Sequence, residues 1–101
     1  MGSTVLQQAQ LQALLREFKE QHGEEYRLSA LGYFGSYARN EATEDSDVDV
    51  VFETDAPNLL RTSCMRIELE ELLGKHVDVV RLRESMDSRM KVRIVREARY
   101  V

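Results

Sequence analysis

The first part of the chain has the apolar period of an amphipathic helix. Within residues 4–21, apolar side chains recur at i, i+3, i+4 and i+7, at Leu11, Leu14, Leu15 and Phe18. Ser3 or Thr4 is a suitable cap for the start of this helix, and His22-Gly23 is a suitable end. An aliphatic stripe of this kind is most simply a face that packs on a core, so we expect it to be structural.

A second helix is predicted over residues 58–73, where Gly74 supplies the stop signal. Its predicted buried stripe consists of Leu60, Cys64, Ile67, Leu69, Leu72 and Leu73. Cys64 lies on that stripe, so we expect a buried structural thiol and not a nucleophile.

A third helix is predicted over residues 85–98, with two distinct faces. One face is an apolar line, formed by Met86, Met90, Ile94 and Ala98. The other carries arginines, at Arg89, Arg93 and Arg96. The arginine face is either solvated or a surface on which a partner docks.

Short apolar runs between these helices predict three strands, at residues 27–34, 46–53 and 76–82. The link between the first two is too short for a crossover helix, so we expect them to be antiparallel neighbours. The resulting order is α-β-β-α-β-α. We therefore expect the α+β class, with a small mixed sheet flanked by helices and a single domain over residues 1–101.

Composition and charge narrow the class of protein. The chain has 101 residues and a formal net charge of −4, which gives no reason to expect nucleic-acid binding. Residues 81–101 are nevertheless basic, with seven Lys or Arg and three Asp or Glu. A single cysteine excludes an internal disulfide and a cysteine zinc cluster. No apolar run reaches the roughly 18 residues of a membrane span, so we expect a soluble cytoplasmic protein without a membrane partner.

The candidate chemistry lies in the stretch GSYARNEATEDSDVDVVFE, residues 35–53. Asp47 and Asp49 are two residues apart on a predicted strand and should project from the same face. Val48, Val50 and Phe52 should then face the core. Two adjacent like charges are unfavourable unless a cation lies between them, and Mg²⁺ is the simplest such cation.

A glycine-serine pair supplies the second half of a phosphate site. Gly35 follows an apolar strand and allows close approach of the backbone to a ligand. Ser36 offers a hydroxyl where a short helical turn begins, with free N–H groups aimed at an anion. Asp78 is a third carboxylate, within the later run VDVV. Three carboxylates and a phosphate-holding turn are typical of metal-assisted transfer of a nucleotidyl group.

The motifs GSYARN, DVD after a ten-residue gap, and VDVV together resemble the DNA polymerase β-like nucleotidyltransferases. In size the chain is similar to the minimal nucleotidyltransferase (MNT) domains. The resemblance implies that Asp47, Asp49 and Asp78 hold Mg²⁺, two ions in the general scheme, and that Gly35 and Ser36 position the phosphates of ATP. It also implies that Asp78 helps to deprotonate the acceptor hydroxyl. Arg39 is a candidate for phosphate contact or loop bracing, with a plain surface charge as the alternative. Asn40 replaces the family's usual glycine, and asparagine tolerates positive φ.

The resemblance also implies a partner. MNT domains act as antitoxins to HEPN-domain ribonuclease toxins, so the expected reaction is transfer of AMP to a hydroxyl of such a toxin, a tyrosine in the first instance, within a hetero-oligomer. The chain has no residues left for a separate acceptor domain, which disfavours a small-molecule acceptor. One alternative is a binding antitoxin that occludes the toxin without catalysis, although occlusion would not require a metal site.

Overall fold

The computed structural model describes residues 5–101, which form three helices and a four-stranded sheet. The elements in chain order are α1 (Gln8–His22), β1 (Leu28–Phe34), β2 (Val48–Thr54), α2 (Leu59–Leu73), β3 (Val77–Arg81), α3 (Ser88–Glu97) and β4 (Arg99–Tyr100). This order confirms the predicted α-β-β-α-β-α arrangement and the α+β class, and it adds the short strand β4. None of the helices within residues 5–101 has the length and apolar character needed to cross a membrane.

The sheet is mixed, with its strands in the order β3-β2-β1-β4. β1 and β2 pair antiparallel, as the short link between them predicted, and Phe34 lies opposite Asp49. β2 and β3 pair parallel, because α2 carries the chain back across the sheet. The parallel register places Asp49 beside Asp78. The central strand β2 thus brings together residues from both of its neighbours.

The two faces of the sheet are covered by different helices. On one face, β1 and β2 join α1 and α2 in a core cluster through Leu31, Tyr33, Val48, Val50 and Phe52. On the opposite face, Phe34 and Val51 pack with Ile94 of α3. Successive strand residues point to opposite faces, which confirms the predicted separation of the β2 core residues from Asp49. The face that carries Asp49 is the one covered by α3.

The ends of the first two helices follow capping chemistry. α1 begins after Gln7, four residues later than predicted, and it ends at His22 as predicted. The predicted caps, Ser3 and Thr4, lie outside the described residues. Asn58 caps α2, because its side-chain oxygen accepts a hydrogen bond from the Arg61 N–H at 2.9 Å. Gly74 ends α2 in the left-handed conformation with φ 66°, the predicted stop signal.

The predicted buried stripe of α2 is confirmed at Leu69 and Leu73 and is wrong at its other positions. The buried residues of the helix are Met65, Leu69 and Leu73, whereas Leu60 and Ile67 are 76% and 49% exposed. Leu72 is also exposed. The prediction that Cys64 is a buried thiol is wrong, since its side chain is exposed. The physical reason is that α2 carries apolar residues on every side, so spacing alone does not select the buried stripe.

α3 is shorter than the predicted range of 85–98, and its apolar line is confirmed. Ile94 is fully buried, with a partly buried set around it: Met86, Met90 and Ala98. The arginine face is exposed at Arg89, Arg93 and Arg96. β4 was not predicted. It pairs antiparallel with β1 opposite Gly32, where any side chain would collide with the Arg99 backbone.

Candidate active site

Three carboxylates lie at the same end of the two parallel strands. Asp47 directly precedes β2, Asp49 is its second residue, and Asp78 is the second residue of β3. Asp49 and Asp78 are register partners across the parallel pair, so their side chains project from the same face of the sheet. The predicted residues Asp47, Asp49 and Asp78 are therefore near neighbours, although they come from segments about 30 residues apart.

His76 joins the exposed edge of this group. Ligand atoms of Asp47, His76 and Asp78 all lie within 4.8 Å of one another, and His76 Nδ1 is 3.4 Å from Asp47 Oδ1. The ring is 62% exposed, at the edge of the sheet. Its backbone oxygen accepts the Val48 N–H at 3.0 Å and so fixes the start of the parallel register. His76 is thus a neighbour of the carboxylates that was not among the predicted site residues.

The turn after β1 places Gly35 next to the carboxylate of Asp49. Gly35 has φ 76°, a conformation that residues with a side chain rarely adopt. A Cβ at this position would also overlap Asp49 Oδ2. The turn continues through hydrogen bonds from Arg39 N–H to the Gly35 oxygen, at 3.1 Å, and from Glu41 N–H to the Ser36 oxygen, at 2.8 Å. Glycine here thus allows a carboxylate to approach the backbone.

Asn40 closes the same turn in the left-handed region, with φ 59°. This confirms that asparagine is tolerated where the resembling proteins use glycine. Ser36, at the start of the turn, is half-buried. The backbone geometry of residues 35–40 therefore agrees with the prediction of a short helical turn after the strand.

Asp49 is held in an environment that disfavours its charge. Burial is the main cause that raises the pKa of its carboxyl above the ordinary value, and Asp78 raises it further. Arg93 acts in the opposite direction, while Asp47 and Glu97 add to the increase. A bound cation would relieve this accumulation of negative charge, so the electrostatics agree with a site for a divalent metal.

An open cleft of about 500 Å³ lies beside the carboxylates, between β3 and α3. Asp49 and Asp78 line it together with apolar groups from Phe34, Val79, Val80 and Met90. Two cations, Arg66 and Arg93, complete its wall. The Arg93 guanidinium lies 5.8 Å from the centre of the Phe34 ring, in a cation–π contact. The cleft thus offers carboxylates, cations and an aromatic surface to one ligand.

The N–H group of Gly35 already has an anionic partner. It donates a hydrogen bond to Glu97 Oε2 at 2.6 Å. Arg39, another of the predicted site residues, also binds Glu97, with its Nη1 at 3.0 Å from Oε2. The Arg39 Nε donates to Glu41 Oε1 at 3.0 Å. Arg39 braces the turn against α3 in this structure, which is one of the two roles expected of it.

Sequence reasoning missed Arg93 and Glu97 as neighbours of the site. Both lie on α3, about 45 residues after Asp49 along the chain. Their four-residue spacing places them on one side of the helix, and the basic character of this segment was visible. The signal that could have found them is this spacing on the predicted arginine face, which continues from Arg93 to Glu97 at the end of α3.

Comparison with known proteins gives the same kind of chemistry. A family model described as a nucleotidyltransferase domain matches residues 11–101. The chain is 37% identical over 93 residues to the protein adenylyltransferase MntA of Thermococcus cleftensis. The match covers 91% of this chain and 93% of that protein.

Solved structures share the fold. One, described provisionally as a minimal nucleotidyltransferase, has a TM-score of 0.75 and 33% identity, and the match covers 92% of this chain and 94% of that one. Another contains a tri-AMPylated HEPN toxin of Shewanella oneidensis in complex with an MNT antitoxin. Its TM-score is 0.60 at 20% identity, with 93% of this chain and 67% of that chain covered. At that identity the second match concerns the fold alone.

Proposed function

Since the chain belongs to the nucleotidyltransferase domain family and is a nucleotidyltransferase, we propose that it transfers AMP from ATP to a hydroxyl of a partner protein. The relative from Thermococcus cleftensis is named a protein adenylyltransferase, which supports ATP as the donor and a protein as the acceptor. We further propose that residues 1–101 act as one catalytic domain.

The observation that carries this proposal is the convergence of Asp47, Asp49 and Asp78 beside the Gly35 turn. No element of the fold requires three carboxylates to meet, and burial together with the charge of Asp78 raises the pKa of Asp49. Carboxylate oxygens are the ligands that Mg²⁺ prefers. The donor set fits that ion, and these three residues would hold it. Bound there, Mg²⁺ would neutralise the triphosphate and the charge that develops on the leaving oxygens.

The residues of the chain have separate tasks in this reaction. The Gly35 N–H, the Ser36 hydroxyl and Arg39 orient the phosphates. The acceptor oxygen attacks the α-phosphorus, the bond from that phosphorus to the bridging oxygen breaks, and pyrophosphate leaves. Asp78, exposed at the mouth of the cleft, accepts the proton of the acceptor hydroxyl on a carboxylate oxygen. The open side of the cleft leaves access for a macromolecular acceptor.

The proposed partner is a HEPN-domain toxin, and the proposed acceptor is a tyrosine hydroxyl close to its ribonuclease site. The similarity of fold to an MNT antitoxin bound to an AMPylated HEPN toxin supports this choice. Addition of AMP places a bulky anion at that hydroxyl, and this would obstruct the binding of RNA. Neutralisation of the toxin would then be covalent and would outlast the complex.

The test is incubation of the protein with ATP, Mg²⁺ and the partner, followed by intact mass spectrometry. We expect the partner to gain the mass of at least one AMP. Asp78→Asn should abolish the gain while the fold is retained, because Asp78 is exposed. Asp45→Asn, which changes an exposed loop carboxylate, is the matched control and should transfer normally. An unmodified partner that is nevertheless neutralised, equally by wild type and by Asp78→Asn, would reject catalysis in favour of occlusion.

A further inference from the structure

The carboxylate of Glu97 is surrounded by hydrogen-bond donors of the site. The Gly35 N–H lies 2.6 Å from Oε2, and Arg39 Nη1 lies 3.0 Å from Oε2 and 3.3 Å from Oε1. Arg93 Nε is 3.8 Å from Oε2. Only 19% of the Glu97 side chain is exposed. One backbone N–H and two guanidinium groups thus converge on a single carboxylate.

The same kinds of hydrogen-bond donor bind phosphate groups in proteins. Backbone N–H groups of a glycine turn and arginine forks bind phosphates and carboxylates alike, because both are anions with several acceptor oxygens. Gly35 lies directly beneath Asp49, so the anion held by the turn is adjacent to the candidate metal site. A nucleotide triphosphate bound to these donors would be repelled by the negative charge of Glu97. The two anions cannot share the same donors.

We propose that Glu97 is an internal anion that occupies the triphosphate position in the absence of nucleotide and is displaced when nucleotide binds. Arg39 and Arg93 then pass from Glu97 to the phosphates, and Arg93 becomes a substrate-binding residue. This inference rests on the proposed function, because it assigns the phosphate site of that same reaction. It adds that Glu97 and the nucleotide compete for the same donors, and that this competition lowers the affinity for nucleotide.

The position of Glu97 in α3 permits the exchange. Glu97 is the last residue of the helix, and the backbone after it is held in place by the pairing of β4 with β1. The helix is anchored against the sheet by Ile94 and Met90, whose apolar cluster does not include Glu97. A change of rotamer at Glu97 therefore moves the carboxylate without a loss of helix packing. The rest of the site keeps its geometry.

The test is the affinity for Mg²⁺ with a non-hydrolysable ATP analogue, measured by calorimetric titration. Glu97→Gln keeps the shape of the side chain and removes the charge, so we expect binding about tenfold tighter than wild type, the scale of one charge-assisted hydrogen bond. Glu97→Ala should bind at least as tightly as Glu97→Gln. Glu84→Gln is the matched control, because it removes one fully exposed carboxylate from the same part of the chain, and its affinity should stay within about twofold of wild type.

A second measurement follows the Gly35 amide by ¹⁵N–¹H NMR. We expect its resonance to move on Glu97→Gln and again when the analogue binds. Equal or weaker nucleotide binding by Glu97→Gln, with the fold intact, would overturn the proposal and leave Glu97 as a structural brace of the turn. Nucleotide binding that does not move the Gly35 amide would also overturn it.

The two proposals fail separately. If wild type binds the analogue, Glu97→Gln binds it more tightly and no AMP reaches any partner, the proposed transfer fails and the competition stands. If AMP transfer proceeds while Glu97→Gln binds nucleotide as wild type does, the competition fails and the transfer stands.

Discussion

Replacement of Gly35 by alanine tests the contact between the turn and the candidate metal site. Gly35 has φ 76°, and a Cβ there would overlap Asp49 Oδ2. An alanine in the left-handed region costs about 1 kcal/mol. Displacement of a packed side chain adds about 1–3 kcal/mol. We therefore expect Gly35→Ala to lower the free energy of unfolding by about 2–4 kcal/mol, and to move the Asp49 carboxylate away from the turn.

Gly74 supplies the control, because its φ is 66° and nothing lies within 4 Å of a Cβ built there. Gly74→Ala pays the backbone cost alone, about 1 kcal/mol. The difference between the two substitutions thus isolates the contact with Asp49. For a domain of this size, 1 kcal/mol corresponds to roughly 4–8 °C in Tm, so the difference is large enough to measure by urea or thermal denaturation.

A double-mutant cycle identifies the collision partner. In an Asp49→Ala background the obstructing carboxylate is absent, so Gly35→Ala should cost no more than Gly74→Ala does. We expect a coupling energy of about 1–3 kcal/mol between positions 35 and 49. The reasoning would be refuted by equal costs for the two glycine substitutions, or by a cost at Gly35 that does not depend on residue 49.

Two further predictions concern Asp49 and α2. Burial and Asp78 raise the pKa of Asp49 above its ordinary value of 3.8. The folded state therefore binds the proton of this carboxyl more tightly than the unfolded chain does. As a result, the free energy of unfolding falls as the pH rises from the ordinary pKa through the raised one. Asp49→Asn should therefore raise Tm at pH 7, and the gain should vanish at pH below the ordinary value; a gain of equal size at acid pH would contradict this. Leu73 is buried and Leu72 exposed, so by urea denaturation Leu73→Ala should cost about 2–4 kcal/mol and Leu72→Ala less than about 1 kcal/mol; similar costs would show that the assigned face of α2 is wrong.

The strand that carries the site could be predicted because two independent patterns agree there. Val48, Val50 and Phe52 alternate with Asp49 at the period of a strand, and the short link from β1 leaves only an antiparallel neighbour. Asn40 shows that backbone conformation too can be inferred from residue type, since its positive φ follows from the tolerance of asparagine.

Other features could not be predicted, for different physical reasons. The buried face of α2 was misassigned at Cys64 because apolar residues surround that helix, and only tertiary packing selects Met65. β4 has two residues, too few for a period. The contact between Glu97 and Gly35 joins positions 62 residues apart, and no local pattern encodes how α3 lies over the turn.

The place of β2 in the middle of the sheet also has consequences for motion. It is hydrogen-bonded on both edges, to β1 and to β3, and its side chains are buried on both faces. Such a strand opens only when the whole sheet opens, so we expect its amide hydrogens to exchange through openings whose free energy approaches that of global unfolding. Asp49 consequently has little backbone freedom of its own. Adjustment to a substrate must come from the elements around it: the exposed edge at β3, the turn at residues 35–40 and the last turn of α3. The site thus combines Asp49 on a rigid central strand with neighbouring elements that can adjust to a substrate.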